Sequence, residues 1–341
     1  MGARYLKEMK VFVSSRSFGV FCKEAIEKIS QVAEIDRSTS NRPMTELELA
    51  KILPHYDGII VGTDKITKKV LENTNKLKVV AKHGTGVDNI DLDACTKKNI
   101  VVTYVPSVNA DSVADFAFCL MLSLARKLIP AHISTKRRKW KPKEFIGTEI
   151  HGKVIGIIGL GAVGSRVARR ARGFNMKILY YDVCRKEELE KELGMEFVDL
   201  HNLLRNSDLI TLHCPLTPHT RGMISNKEFA LMKDSAFLIN TARGPIVDDE
   251  AAYEALRERK IAGAAFDVYA MEPPRKSWSL FELDNVIVTP HIASYTIDAI
   301  RRVDLIQSQD IVKILCGEAP KFVANAEVLK RFYNKQSNFK K

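Results

Sequence analysis

Residues 153–182 constrain this chain more than any other stretch. Val154 to Ile158 is a short run rich in β-branched residues, the composition of a strand buried on both faces of a parallel sheet. Gly159, Gly161 and Gly164 follow in G-x-G-x-x-G order. The first glycine permits a tight turn, the second lets a pyrophosphate approach the backbone, and the third lets a helix pack closely on the strand. From Ser165 onward the residues read as a helix whose N-terminus offers free N–H groups and the positive end of a dipole. Lys177 to Tyr181 reads as a second strand, with Asp182 where a ribose-binding carboxylate belongs. Glycines alone mark ordinary turns. Strand, glycines, helix, strand and acid in this order define a dinucleotide-binding unit. Asp182 favours NAD, because a carboxylate there repels a 2′-phosphate. Arg185, three residues on, is the one neighbour that argues for NADP.

A chain of 341 residues holds two domains with separate cores. The formal charge of +12 raises nucleic acid as a partner. The basic residues, however, are spread along helical stretches (Arg169, Arg170, Arg172; Arg257, Arg259, Lys260) rather than gathered in one arm with interleaved aromatics. A solvated basic surface that attracts small anions is the expectation, with neither nucleic acid nor membrane as partner. Cys22, Cys95, Cys119, Cys184, Cys214 and Cys316 show no metal-ligand spacing, and most lie in apolar segments. They read as reduced core residues, and no metal site is expected. No stretch reaches transmembrane length and the start is no signal peptide, so a cytoplasmic protein is expected.

Before the glycine turn, strands alternate with helices: Lys10–Val13, a helix within 21–32, a helix over 47–53, Gly58–Val61, a helical turn at 70–75, Leu77–Ala81 and Ile100–Val105. This predicts a small parallel α/β unit. Its glycine-rich loop Lys82-His-Gly-Thr-Gly-Val-Asp-Asn89 directly follows a strand, where α/β proteins bind ligands, so it is a candidate anion site. Residues 111–126 are apolar nearly all round, a helix to be buried in a core or a subunit interface. From Pro130 to Lys153 the pattern dissolves into a basic connector around Trp140. Beyond Asp182 come an exposed helix over 185–193, a strand over 209–213 ending at Cys214-Pro215, and a Ser225/Glu228 capping box ahead of a helix at 229–232. Asp248 and Asp249 cap a helix over 250–260. The charged residues 331–341 read as a loose tail.

Three apolar runs then end in unusual polar residues. Phe237–Ala242 ends at Arg243, Ala264–Tyr269 at Glu272, and Val286–Thr289 at His291. If the runs are successive parallel strands, all three side chains emerge at one sheet edge, where a nicotinamide lies. Singly each is an ordinary loop residue; together they suit hydride transfer at a carbon bearing a hydroxyl beside a carboxylate. A guanidinium grips the carboxylate with two hydrogen bonds, an imidazole moves the hydroxyl proton, and a carboxylate on the other ring nitrogen orients the imidazole and raises its pKa. His213, between a strand and Cys214, reads as a pocket-lining residue.

These motifs resemble the D-isomer-specific 2-hydroxyacid dehydrogenase family, and within it most of all the D-3-phosphoglycerate dehydrogenases. The likeness spans roughly residues 5 to 325. It is carried by 83–90, 145–153, 159–164, 240–248, 266–274 and 289–293. It implies an α/β chain of two Rossmann-like domains. Residues 1–106 plus 296–330 would form a discontinuous, flavodoxin-like substrate domain, and residues 107–295 an inserted NAD-binding domain, with the acid bound in the cleft. The resemblance makes Arg243, Glu272 and His291 the catalytic trio. Its implied NAD contacts are Thr85, the glycine turn with Ala162 and Val163, Asp182, Cys214, Thr241, Arg243, Asp267 and His291, with His213, Pro215, Ala242 and Ala293 beside them. Lys82, Gly84, Thr85, Gly86, Arg243 and His291 are the expected substrate contacts, and helix 111–126 with the 130–152 connector is the expected homodimer interface.

Two departures from the phosphoglycerate enzymes bear on substrate. The chain stops without the regulatory domain that many of them carry, so serine feedback is not expected. Gly62-Thr63 stands where arginine and serine are typical, removing one anion-binding cation, although Lys82 occupies the position of another. D-3-phosphoglycerate/3-phosphohydroxypyruvate is the first expectation, with serine biosynthesis as its setting. Hydroxypyruvate/glyoxylate reduction is the alternative, and an NADH-sensing corepressor-like scaffold is the rival of another class. Formate dehydrogenases pair the histidine with glutamine, so Glu272 excludes that reading.

Overall fold

The computed structural model describes residues 8–330. The chain divides into two compact units, Met1–Asn109 with Tyr295–Lys341, and Ala110–Ser294.

In the first unit β1 (Lys10–Val13), β2 (Glu34–Arg37), β3 (Gly58–Val61), β4 (Val79–Lys82) and β5 (Val101–Thr103) form an all-parallel sheet in the order β2-β1-β3-β4-β5. This is the flavodoxin-like order. Alternate residues feed opposite faces. Val11, Val13, Ile60, Val79 and Ala81 pack with Ile311 and Ile314 of the C-terminal helix Ile297–Cys316, while Phe12, Ile59, Val61, Val80 and Val102 pack with Leu49, Leu53, Val70 and Leu71. Edge strand β2 escaped prediction because Glu34-Ile-Asp-Arg37 shows no apolar alternation and stays partly exposed.

The second unit holds β6 (Val154–Ile158), β7 (Lys177–Tyr181), β8 (Glu196–Phe197), β9 (Leu209–Leu212), β10 (Phe237–Asn240), β11 (Gly263–Phe266) and β12 (Val286–Val288). All are parallel, ordered β12-β11-β10-β9-β6-β7-β8. The order reverses between β6 and β9, the switch point at which doubly wound sheets bind dinucleotides. One face carries helices Ala110–Ala125 and Ala162–Gly173, and the other carries Leu200–Asn206, Asn226–Phe229 and Asp249–Arg257.

Helix Ala110–Ala125, expected in a core or a subunit interface, takes the core place, through Ala114, Ala117, Phe118, Met121 and Leu124 against the sheet and the neighbouring helix. Several other expectations need correction. The connector contains a helix, Leu128–Lys136, none of it buried. Pro130 does not forbid it, because the first-turn N–H groups have no intrahelical partner. The helix after the glycines begins at Ala162, not Ser165, so Gly164 lies inside its first turn. The capping-box helix is Asn226–Phe229 rather than 229–232, since Ser225 is itself the N-cap and its N–H and Oγ both meet the Glu228 carboxylate. Helix Leu200–Asn206, capped by Asp199, was missed. Only Cys22 and Cys95 are buried; Cys214 is half-buried, and Cys119, Cys184 and Cys316 are exposed, since an apolar stretch still has an outward face. All six are free thiols. No described helix is long and apolar enough to cross a membrane. The tail 331–341 lies outside the described residues.

Candidate active site

The turn after β6 is built by packing. Gly159 has φ +92°, and a Cβ there would meet the Cys214 nitrogen at 2.5 Å. A Cβ on Gly164 would meet the Gly159 carbonyl at 2.1 Å. A Cβ on Gly161 would point into open space, so its hydrogen serves no packing need and leaves the backbone approachable. Gly161 is the N-cap of helix Ala162–Gly173, and no side chain caps that end. At the end of β7, Asp182 accepts from the Leu160 N–H at 2.6 Å and the Cys184 N–H at 3.0 Å, which aims the carboxylate across the turn.

His213 and Cys214 close the other side of the turn, at the end of β9. His213 Nε2 lies 2.9 Å from Thr211 Oγ1, and burial pushes the imidazole pKa down to about 3. This favours its neutral form. Burial likewise pushes the Cys214 thiol up to about 11, so it is no nucleophile. Thr241, just past β10, has a buried hydroxyl oxygen with no hydrogen-bond partner. An orphaned buried hydroxyl is costly unless a ligand satisfies it. Open glycine, uncapped helix, anchored acid and orphaned threonine together fit a dinucleotide.

The trio gathers at the ends of the three adjacent strands β10, β11 and β12. Asn240 shapes the first of these turns: its amide donates to the Arg243 carbonyl at 2.9 Å and accepts from the Ala242 N–H at 3.1 Å. Gly244 packs onto the Tyr269–Ala270 backbone, where a Cβ would lie 2.0 Å from the Tyr269 carbonyl carbon. That contact holds the Arg243 turn against the loop bearing Glu272. His291 Nδ1 is 2.6 Å from Glu272 Oε2, and Glu272 Oε1 accepts from the Tyr269 N–H at 3.2 Å. Burial pushes the Glu272 carboxyl up. The hydrogen bond and charge of His291, the Tyr269 N–H and the charge of Arg243 together outweigh it and hold the group below its ordinary value.

His291 has φ +56°, a left-handed conformation that is uncommon and costly for a non-glycine residue. Asp267 enforces it. Its carboxylate, fully buried, accepts from Thr289 Oγ1 at 2.6 Å, the Ile292 N–H at 2.9 Å and the Ala293 N–H at 2.8 Å. Burial raises the Asp267 pKa against the pull of those bonds. Tyr269 adds a bond from its hydroxyl to the Thr289 carbonyl, 2.7 Å. Asn240 and Tyr269 were missed as supports of the site. A fully buried asparagine closing an apolar strand was the available signal.

Lys82, Gly84, Thr85 and Gly86 belong to the first unit. Lys82 is buried, its ammonium donating to the Gly62 carbonyl at 2.5 Å and Asn89 Oδ1 at 2.9 Å. The Gly84 N–H donates to the Lys82 carbonyl at 2.9 Å, and Thr85 Oγ1 to the Val105 carbonyl at 3.1 Å. In this candidate anion loop the Gly84 donor is therefore not open to a ligand, because it closes the loop on itself.

Residues 118–293 match the model of the D-isomer specific 2-hydroxyacid dehydrogenase, NAD binding domain. The chain is 44% identical over 328 residues to a glyoxylate reductase of Thermococcus litoralis, covering 94% of this chain and 98% of that one. It is 42% identical over 306 residues to a D-3-phosphoglycerate dehydrogenase of Methanocaldococcus jannaschii, covering 89% of this chain but only 57% of that protein. A D-lactate dehydrogenase structure from Aquifex aeolicus, complexed with NAD and lactic acid, superimposes with TM-score 0.78 at 34% identity, over 94% of this chain and 98% of that one. The chain belongs to the D-isomer-specific 2-hydroxyacid dehydrogenase family, and is an NAD-dependent oxidoreductase of D-2-hydroxy acids.

Proposed function

We propose that this enzyme reduces a short 2-keto acid, glyoxylate or hydroxypyruvate, to its D-2-hydroxy acid, with 3-phosphohydroxypyruvate a slower substrate. The observation that carries this choice over the phosphorylated substrate is Lys82. Its buried ammonium is already held by Gly62 and Asn89, and Gly62 itself stands where the phosphoglycerate enzymes typically carry arginine. A dianion thus meets no cation at position 62 and, at Lys82, an ammonium two of whose N–H groups already have protein partners. The glyoxylate reductase likeness over nearly the whole chain points the same way.

In this reading Arg243 grips the substrate carboxylate bidentately. The turn 159–164, Asp182, Thr241 and the β9 end would hold NAD, which when bound would supply or accept the hydride. His291 gives its Nε2 proton to the carbonyl oxygen in reduction and takes it back in oxidation. Glu272 on Nδ1 fixes the tautomer and balances the imidazolium charge. Asp267 keeps the His291 loop in its left-handed turn. Ala242, Ala293 and Pro215 complete the cofactor contacts.

The polypeptide acts as a cytoplasmic homodimer, in keeping with its six free thiols and with Leu128, Ile129, Ile133, Trp140 and Ile146, which are exposed on residues 128–146. Because helix Ala110–Ala125 is covered by its own unit, the expected interface falls mainly on that later segment.

Steady-state reduction of glyoxylate, hydroxypyruvate and 3-phosphohydroxypyruvate by wild type and Lys82→Ala tests the substrate. Glyoxylate or hydroxypyruvate should have the highest kcat/KM in the wild type. A phosphorylated substrate preferred by more than about tenfold, and lost on Lys82→Ala, restores the phosphoglycerate reading. Silence on a wide panel of 2-keto acids, with NADH still bound, leaves the scaffold reading instead.

A further inference from the structure

The residues beyond Asp182 form a second polar group that the hydride chemistry does not use. Arg185 follows the ribose-binding acid by three positions, where a guanidinium would reach a 2′-phosphate. Its side chain is 57% exposed but not at liberty. Nε donates to Glu190 Oε1 at 2.9 Å and Nη2 to Glu190 Oε2 at 2.9 Å, so the edge of the fork that suits a phosphate already holds a carboxylate. Glu190 comes from the helix Glu187–Leu193 and is itself anchored: its Oε1 accepts from the Tyr180 hydroxyl at 2.6 Å, and that hydroxyl accepts from the Lys186 N–H at 2.8 Å. Phe197 of β8 completes the clamp, its ring 5.3 Å from Tyr180 and 5.9 Å from the Arg185 guanidinium carbon. The hydrogen bond from Arg185, then that from Tyr180, hold the Glu190 carboxyl down to about 2, so the clamp persists at every physiological pH.

We propose that Glu190 is a positioning residue for cofactor selectivity, which excludes NADP by withholding Arg185 from the 2′-phosphate. Two acids then act against NADP by different routes. Asp182 repels the phosphate directly, and Glu190 occupies a cation placed to receive it. The sequence contains both an NAD-type acid and an NADP-type arginine, and this bond removes the conflict between them.

The test is fluorescence titration of the purified full chain with NADH and with NADPH, which needs no substrate, for wild type, Glu190→Gln, Arg185→Ala and the double variant. Glu190→Gln should tighten NADPH about tenfold while NADH moves by less than about twofold. The double variant should return to the wild-type NADPH/NADH ratio, because the gain runs through Arg185. An unchanged ratio in Glu190→Gln overturns the proposal. So does a gain that survives in the double variant, since removing a negative charge would then suffice. Should Glu190→Gln not fold, Arg185→Ala decides: with the guanidinium withheld it leaves NADPH affinity unchanged, whereas about tenfold weaker NADPH shows that Arg185 was already serving the phosphate.

Discussion

The two units are built alike and treat the ends of their strands differently. Both are all-parallel sheets with helices on each face, and both place polar residues just past the carboxyl ends of central strands. In the first unit those groups satisfy one another. Ser14 Oγ and the Met44 N–H both donate to the buried Asp64 carboxylate, Lys82 bonds Gly62 and Asn89, and His83 Nε2 lies 2.7 Å from the buried Asp304. In the second unit the helix N-terminus at Gly161 has no side-chain cap and the Thr241 hydroxyl no partner. A sheet edge is thus only a place where a site can be. The unpartnered groups beside the glycine turn are the ones a dinucleotide would complete.

That contrast can be broken by substitution. The largest effect is expected at His291→Ala: turnover should fall by a factor on the order of 10² to 10⁴ with NADH affinity preserved, since only proton transfer is lost. Loss of NADH binding in parallel would make His291 a cofactor support. Arg243→Lys should lower kcat/KM for the keto acid roughly tenfold to a hundredfold, because an ammonium cannot grip bidentately; wild-type kinetics would remove Arg243 from the site. Asp182→Ala should weaken NADH about tenfold and narrow the preference over NADPH. An enzyme that already uses both equally would contradict the role of that acid.

In the first unit the expected signature is stability rather than cofactor affinity. Asp304→Asn leaves partly buried polar atoms of His83 and Gly19 imperfectly paired and should cost about 1–3 kcal/mol, read as a lower Tm, with NADH affinity unchanged. A comparable loss of NADH affinity would erase the distinction between the units. The smallest effect concerns acid. Glu272 has a folded pKa below its ordinary value, so its ionised form adds stability above about pH 4.5, and that stability fades as the pH falls through the folded pKa. The Tm difference between wild type and Glu272→Gln should therefore shrink below about pH 4.5. A constant difference would mean that the carboxylate charge adds nothing.

The glycine turn, the acid at Asp182 and the trio were legible in the sequence because each depends on local chemistry. A strand buried on both faces must be apolar, a turn against a neighbouring backbone must be glycine, and a polar residue ending such a strand needs a reason. Helix boundaries were less legible: Leu128–Lys136 and Leu200–Asn206 have weak periodicity and a helix existence decided by packing and caps. Strand β2 depends on its neighbour β1 for every ladder bond, and nothing in Glu34-Ile-Asp-Arg37 announces that partner.

The sequence by itself determined the class of chemistry, since residue types and their order along parallel strands set which groups reach the sheet edge. Only the tertiary structure decided which of those groups remain open to a ligand. Lys82 and Arg185 both read as cations awaiting an anion. In the fold, one is held by a carbonyl and an amide from distant loops, and the other by a glutamate one helix away. Hydrogen-bond partners are chosen by distance in space, and sequence spacing does not reveal that distance.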